Sequence, residues 1–201
     1  MKNIHLVRHA QSMWNAWFAT DNTQTNPLSP LWIEQAQTLA DNRNSDVDLI
    51  IHSTYERTYQ TAKPLIKKYP FAQILQNELI HEFTYLDAEV YKWTTILERA
   101  PQKELFWKVE DPAFKASDTA ENLIDLFSRV EQTINYLKSL LWQEVVMFSH
   151  WQFMHTLLEV LQNPHILERH DIKKHLYQIF KDKTRKMHNT QTYTITDLLS
   201  K

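Results

Sequence analysis

The sequence predicts an α/β fold in which a mostly parallel sheet is covered by helices on both faces. Three observations carry that expectation. Short apolar runs of strand length alternate along the 201 residues with segments of helical periodicity, the pattern of repeated βα units. Basic residues stand after several of these runs, at Arg8-His9, Arg57 and His150, where a parallel sheet opens its ligand crevice at the carboxyl ends of the strands. The hydrophobic fraction of 43% suits one sizeable core in a chain of this length, so a single domain over residues 1–201 is expected.

Ile4 to Val7 reads as a buried strand that opens into a polar loop. Ser29-Pro30 has the form of an N-cap followed by proline at the first helical position, and Ile33, Ala36, Gln37 and Ala40 continue at helical spacing. Val47 to Ile51 is a second buried strand, after which Ser53 or Thr54 caps a helix carrying Arg57, Thr61 and Leu65. Ala72 to Leu75 forms a third strand. Residues 80–118 mix aromatics, prolines and charges without sustained periodicity, as expected of an insertion over one edge of the sheet that covers the active site.

From residue 119 to 141, Leu123, Leu126, Phe127, Val130, Ile134, Leu137 and Leu141 make the stripe of a long amphipathic helix. Glu144 to Phe148 is a β-prone run ending in Ser149-His150, and a helical pattern follows from Phe153 to Leu161. Residues 165–187 are helical and rich in charge, and Thr190 to Ile195 alternates as a final strand.

Composition narrows the chemistry. A formal charge of -2, with no long basic runs, gives no field for displacing counterions from nucleic acid, so no nucleic-acid partner is expected. Zero cysteines remove thiolate zinc sites, disulfides and cysteine nucleophiles. No apolar run nears the ~20 residues of a membrane span, and the N-terminal residues lack the apolar core of a secretory signal. A cytoplasmic setting without membrane partners is expected.

Arginine suits a phosphoryl group because its planar fork donates two parallel charge-assisted hydrogen bonds, and imidazole attacks phosphorus or donates to its oxygens. A lone histidine is more often structural, and His5, His52, His155, His165, His170, His175 and His188 are read that way.

Three motifs make the reading specific. Leu6-Val7-Arg8-His9-Ala10-Gln11-Ser12-Met13-Trp14-Asn15 resembles the signature LVRHGxSxxN of the histidine phosphatase superfamily, whose fold is phosphoglycerate mutase-like, a three-layer αβα sandwich. Ser53-Thr54-Tyr55-Glu56-Arg57-Thr58-Tyr59-Gln60-Thr61-Ala62 is similar to the family's SxxxRxxQTA, and Ser149-His150-Trp151 resembles its SHG motif. His81-Glu82-Phe83-Thr84-Tyr85-Leu86 and Thr119-Ala120-Glu121-Asn122-Leu123 resemble segments of a bacterial phosphatase branch.

The resemblance implies a phosphomonoester hydrolase acting through phosphohistidine on His9, with Arg8, Asn15, Arg57 and His150 on the phosphate and Glu82 as proton donor. It implies no metal and no cofactor, because two guanidinium groups supply the charge that Mg²⁺ supplies in kinases. Glu82 also reads as a surface carboxylate of a polar loop, and Glu121 as structural, pocket-lining or solvated near a helix start. The partner expected is a small phosphorylated substrate; its identity and the oligomeric state are not legible. Mutase-type phosphoryl transfer, an inactive binding module of the same fold, and a metal-dependent hydrolase using His9, His150 and Glu82 are the competing readings.

The chain contains no glycine, although average usage near 7% corresponds to about 14 in this length. Family members carry Gly where this chain has Ala10, and Trp17, Trp32, Trp93, Trp142 and Trp151 also stand where the resembled pattern has Gly. One cause accounts for these five tryptophans: a gene in which UGA encodes glycine, read with the standard code. An authentic glycine-free protein is the alternative.

Overall fold

The computed structural model describes residues 2–12, 24–26, 28–182 and 187–195. Strands β1 (Asn3–Arg8), β2 (Leu49–His52), β3 (Gln73–Gln76), β4 (Glu144–Ser149) and β5 (Thr192–Thr194) form one sheet in the order β3-β2-β4-β1-β5. Four strands run parallel, and β5 lies antiparallel on β1. Among the described residues the helices are α1 (Leu31–Asn42), α2 (Glu56–Lys68), α3 (Ala88–Tyr91), α4 (Ala100–Lys108), α5 (Leu123–Ser139), α6 (Trp151–Gln162) and α7 (Ile172–Lys181).

The strands are apolar almost throughout because both faces of the sheet are covered, and alternate side chains point to opposite layers. Val145 and Met147 of β4 join the cluster that contains Leu126 and Val130 of α5, Phe153 and Leu157 of α6, and Leu176 of α7. Val146 and Phe148 face the other way, onto Ala40 of α1 and on Ala62 and Leu65 of α2. This is the expected αβα sandwich, with its larger core under α5, α6 and α7.

Several expected boundaries shift for local reasons. Pro30 is the N-cap of α1 rather than its first residue, and the Trp32 N–H donates to the Ser29 carbonyl at 3.1 Å. Helix α2 starts after Tyr55, whose N–H donates to the Ser53 hydroxyl at 3.2 Å, so Ser53 closes the turn without capping the helix itself. Helix α5 begins at Leu123 because the Asn122 and Asp125 side chains form a reciprocal capping box. The charged stretch from residue 165 is not one helix: a 3₁₀ turn at Pro164–Glu168 precedes α7.

The 80–118 segment lacks periodicity because its two helices, α3 and α4, are short and its order comes from aromatic packing. Phe83, Tyr85, Phe106 and Trp107 form an interlocked group, with the Tyr85 and Phe106 ring centroids 4.7 Å apart. Trp107 stacks on Tyr177 of α7 at 5.2 Å.

Of the tryptophans at glycine-like positions, Trp17 lies outside the described residues. Trp93 has φ 52, the left-handed region that glycine enters without cost and an indole-bearing residue does not. Trp32 and Trp151 have helical backbone, where any L-residue fits, and Trp142 is not at positive φ.

Candidate active site

Parallel pairing sets the first two catalytic candidates side by side. Arg8 of β1 is in register with Ser149 of β4, so His9 and His150 leave the same edge of the sheet on adjacent strands. The His9 N–H donates to the Ser149 carbonyl at 3.0 Å, and the two ring centroids are 5.1 Å apart. Both rings are buried, 4% and 0% exposed.

Arg57, in the first turn of α2, enters between them. Its Nε donates to His9 Nε2 at 3.2 Å and its Nη2 donates to His150 Nδ1 at 3.0 Å. Because a guanidinium only donates, these bonds fix both tautomers. His9 carries its proton on Nδ1, donated to the Ala10 carbonyl at 2.6 Å, and presents a lone pair on Nε2. His150 carries its proton on Nε2, donated to the Ser53 hydroxyl at 2.7 Å. Burial first, and then the Arg57 charge, push both imidazoles well below the ordinary histidine range. Burial pulls Arg57 down to about 10, so it remains a cation at neutral pH.

The rest of the strand-end loop is pinned from several directions. Ala10 N–H donates to Thr61 Oγ1 at 3.0 Å, and the Asn189 amide donates to the His9 carbonyl at 2.9 Å. Arg8 donates from Nη1 to the Met187 carbonyl, while its buried Nε has no hydrogen-bond partner among the described residues. A buried guanidinium N–H of that kind sits well beside an anion. Asn15 lies outside the described residues.

Glu82 comes from the loop after the 3₁₀ turn at Glu78–Ile80 and reaches the N-terminus of α6. Its Oε1 accepts the N–H groups of Phe83 at 3.0 Å, Gln152 at 3.1 Å and Phe153 at 3.2 Å, whereas Oε2 has only the Gln152 N–H at 3.4 Å. The lightly bonded Oε2 is the atom able to carry a proton. Burial raises the carboxyl above its usual range despite these donors and Arg57, so Glu82 keeps a proton to higher pH than an exposed glutamate.

The expectation for Glu121 resolves to structure. Its carboxylate is gripped by Arg129 through Nε at 2.7 Å and Nη2 at 3.0 Å, and it accepts the Thr84 N–H at 2.9 Å. Arg129 also donates to the carbonyls of Leu79 and His81. The pair thus clamps both sides of Glu82. Motif reading missed Arg129, which has no local spacing signal, and missed the role of Ser53, although Ser53 opens the second motif.

Arg8, His9, Arg57 and Glu82 line one cavity of about 440 Å³, together with Tyr55, Trp151 and Arg99, whereas His150, 0% exposed, is not among the residues that line it. None of the seven histidines read as structural lines it. Trp151 forms part of its wall, edge-on to His155 at 5.6 Å, and leaves it open. Among the described residues no three His, Asp or Glu side chains are grouped to hold a metal ion, and the Arg57 cation stands between the two imidazoles. No helix among the described residues is long and apolar enough to cross a membrane.

Comparison with known proteins identifies the family and the fold. Phosphoserine phosphatase 1 of Hydrogenobacter thermophilus is 28% identical over 157 residues, covering 75% of this chain and 71% of its own length. A mycobacterial glucosyl-3-phosphoglycerate phosphatase shares the fold with a TM-score of 0.68 at 20% identity, over 96% of this chain and 89% of its own. The Entamoeba histolytica phosphoserine phosphatase in complex with 3-phosphoglyceric acid superposes with a TM-score of 0.67 at 20% identity, over 96% and 90%. The family model of the histidine phosphatase superfamily, branch 1, matches residues 4–181, and the chain belongs to that superfamily.

Proposed function

We propose that the protein is a phosphomonoester hydrolase in which His9 carries the phosphoryl group. The observation that carries this is the Arg57 guanidinium bonded to the Nε2 lone pair of His9 and to Nδ1 of His150 at once. A phosphoryl group reaching this point takes the Arg57 donors onto its nonbridging oxygens, and His9 Nε2 is then free to attack phosphorus. Arg8 holds a further oxygen. His150 Nδ1 must gain a proton to hold one too, so binding of the dianion draws a proton into the site.

Attack forms the N–P bond as the P–O bond to the leaving group breaks. Glu82 gives its Oε2 proton to the departing alkoxide, which would otherwise leave poorly. The carboxylate then takes a proton from water as that water attacks phosphohistidine, which releases inorganic phosphate and restores His9. The phosphoserine phosphatase likeness spans 75% of this chain, whereas the likeness to probable phosphoglycerate mutases of Yersinia spans 31%, and this supports hydrolysis over transfer of the phosphoryl group to a second hydroxyl. A small phosphorylated metabolite in a cytoplasmic setting is the partner proposed.

The test is release of inorganic phosphate from para-nitrophenyl phosphate, with rapid quenching to trap phosphohistidine. Wild-type protein is expected to turn over and to become labelled, and folded His9→Ala protein to do neither. Turnover by His9→Ala at the wild-type rate would overturn the mechanism. Isomerised ester without free phosphate would identify a mutase, and a folded wild-type protein that never labels would identify a binding module.

A further inference from the structure

The reactive edge of Arg57 donates to two neutral imidazoles, from Nε to His9 at 3.2 Å and from Nη2 to His150 at 3.0 Å. Burial is the largest influence against the Arg57 charge, and the second cation Arg8 adds to it. Glu82 favours the charge, but burial draws Glu82 itself toward its neutral form. When Glu82 holds the proton it is to donate, a buried guanidinium needs stabilisation that does not come from that carboxylate. A neutral aromatic face can give it.

Tyr55 supplies such a face. The Arg57 guanidinium carbon lies over its ring, 4.7 Å from the centroid, within the range where the negative face of an aromatic ring attracts a cation, and the attraction grows where water is excluded. Both residues are buried. The same ring stands edge-on to His150 at 5.0 Å and is stacked with His81 at 5.9 Å, at an interplanar angle of 11°. The second motif, SxxxRxxQTA, leaves position 55 unspecified, so the ring is a property of this chain's own sequence.

Tyr55 is fixed by its backbone as well as by its neighbours. It is the N-cap residue of α2, extended at φ -84 and ψ 129. Its N–H donates to the Ser53 hydroxyl at 3.2 Å, and its carbonyl accepts the Thr58 hydroxyl at 2.7 Å and the Thr58 N–H at 3.0 Å. One turn of chain therefore carries both the cation and the surface beneath it. Rotation about the Arg57 Cδ–Nε bond would move the guanidinium carbon off the ring and swing Nη2 away from His150. Both donors must point the same way for a phosphoryl group to meet them together.

We propose that Tyr55 is a positioning residue for the reaction: its ring holds the Arg57 guanidinium in the one orientation that delivers Nε and Nη2 together, first to the two imidazoles and then to the phosphoryl oxygens. This rests on the phosphatase reading for the reaction, although the positioning is also read as phosphate affinity, which needs no turnover.

Hydrolysis of para-nitrophenyl phosphate and calorimetric binding of inorganic phosphate are compared for wild-type, Tyr55→Phe, Tyr55→Leu, Arg57→Ala and doubly substituted Tyr55→Leu, Arg57→Ala proteins, and for proteins with mono- or trifluorinated phenylalanine at position 55; each thermal midpoint is checked. Tyr55→Leu should lower kcat/KM and phosphate affinity about tenfold, the scale of a desolvated cation–π contact, with the greater share in kcat because alignment counts most in the transition state. Tyr55→Phe keeps the ring and should stay within about threefold of wild type. Fluorine drains the ring face at nearly constant size, so activity and phosphate affinity should fall stepwise along the fluorinated series. In the Arg57→Ala background, Tyr55→Leu should cost about twofold at most, because its effect passes through Arg57.

A folded Tyr55→Leu protein that works like wild type, a fluorinated series without a trend, or a Tyr55→Leu loss that is the same with and without Arg57 overturns the positioning role even if hydrolysis is fast. Phosphate affinity that follows the ring face in a protein that hydrolyses no ester upholds the role and rejects the phosphatase reading. A wild-type protein that neither binds phosphate nor turns over overturns both. If Tyr55→Leu does not fold, the fluorinated series, which keeps the shape of the ring, decides.

Discussion

The two halves of the site are built by different means. His9, His150 and Arg57 stand on the sheet edge, where the β1–β4 register and the first turn of α2 place them. Glu82 stands on a segment with only short helices, and its position depends on side chains far along the chain. Arg129 reaches back 50 residues to the Leu79 carbonyl and shares the Glu121 carboxylate that pins Thr84. The first half is fixed by backbone that directly follows β1 and β4 and by the first turn of α2; the second is held by its side-chain clamp. In the proposed mechanism attack on phosphorus belongs to the former and protonation of the leaving group to the latter.

Substitutions test that division, beginning on the sheet edge. Arg57→Ala should lower kcat about 10²- to 10³-fold, or about 3–4 kcal/mol, the scale of one preorganised electrostatic donor. The loss should be equal for alkyl and aryl phosphates, since Arg57 acts on phosphate oxygens. A loss confined to one leaving group would move Arg57 into the other half.

Glu82→Gln should behave in the opposite way. Alkyl phosphates should lose about 10²-fold in kcat, whereas para-nitrophenyl phosphate, whose leaving group departs without a proton, should lose little. The pH profile carries the same information. Because burial raises Glu82, kcat/KM for alkyl phosphates should decline toward alkaline pH as this carboxyl ionises, and Glu82→Gln should abolish that limb. On the acid side the rate should persist below the ordinary imidazole range, because the His9 pKa is depressed and its lone pair survives there.

The clamp should give a smaller version of the Glu82 result. Arg129→Ala or Glu121→Gln should cost alkyl phosphates about tenfold through misplacement of the donor, with para-nitrophenyl phosphate again spared. Equal losses for both esters would mean that the pair supports the whole site and not the loop half.

Trp93 offers the smallest effect. Trp93→Gly should add about 1 kcal/mol of stability by relieving the left-handed backbone, a rise of roughly 2–4 °C in Tm. The reassigned-codon reading further expects peptide mass analysis of the protein from its own cells to find glycine at positions 93 and 151. Tryptophan at 151 rejects it.

Legibility from sequence followed the same line. His9, Arg57 and His150 each sat in a contiguous motif next to a strand, so local pattern located them and parallel pairing did the rest. Glu82 was found only by likeness of a short segment, since nothing in its neighbours says that it lies against α6. Arg129 was invisible, because it gains its role from tertiary contacts that leave no periodicity. The split of residues 165–187 into a 3₁₀ turn and α7 was missed for a related reason: charge and helix propensity continue across a break that begins at Pro164.

The Arg57 bridge has a consequence for reaction selectivity. The nitrogen that attacks is masked by a cation, and a compound unmasks it only by offering that cation something better to hold. Neutral acyl or alkyl electrophiles of similar size cannot make the offer, so carboxylic esters should enter the cavity and leave intact, and His9 is spared adventitious acylation without any steric filter.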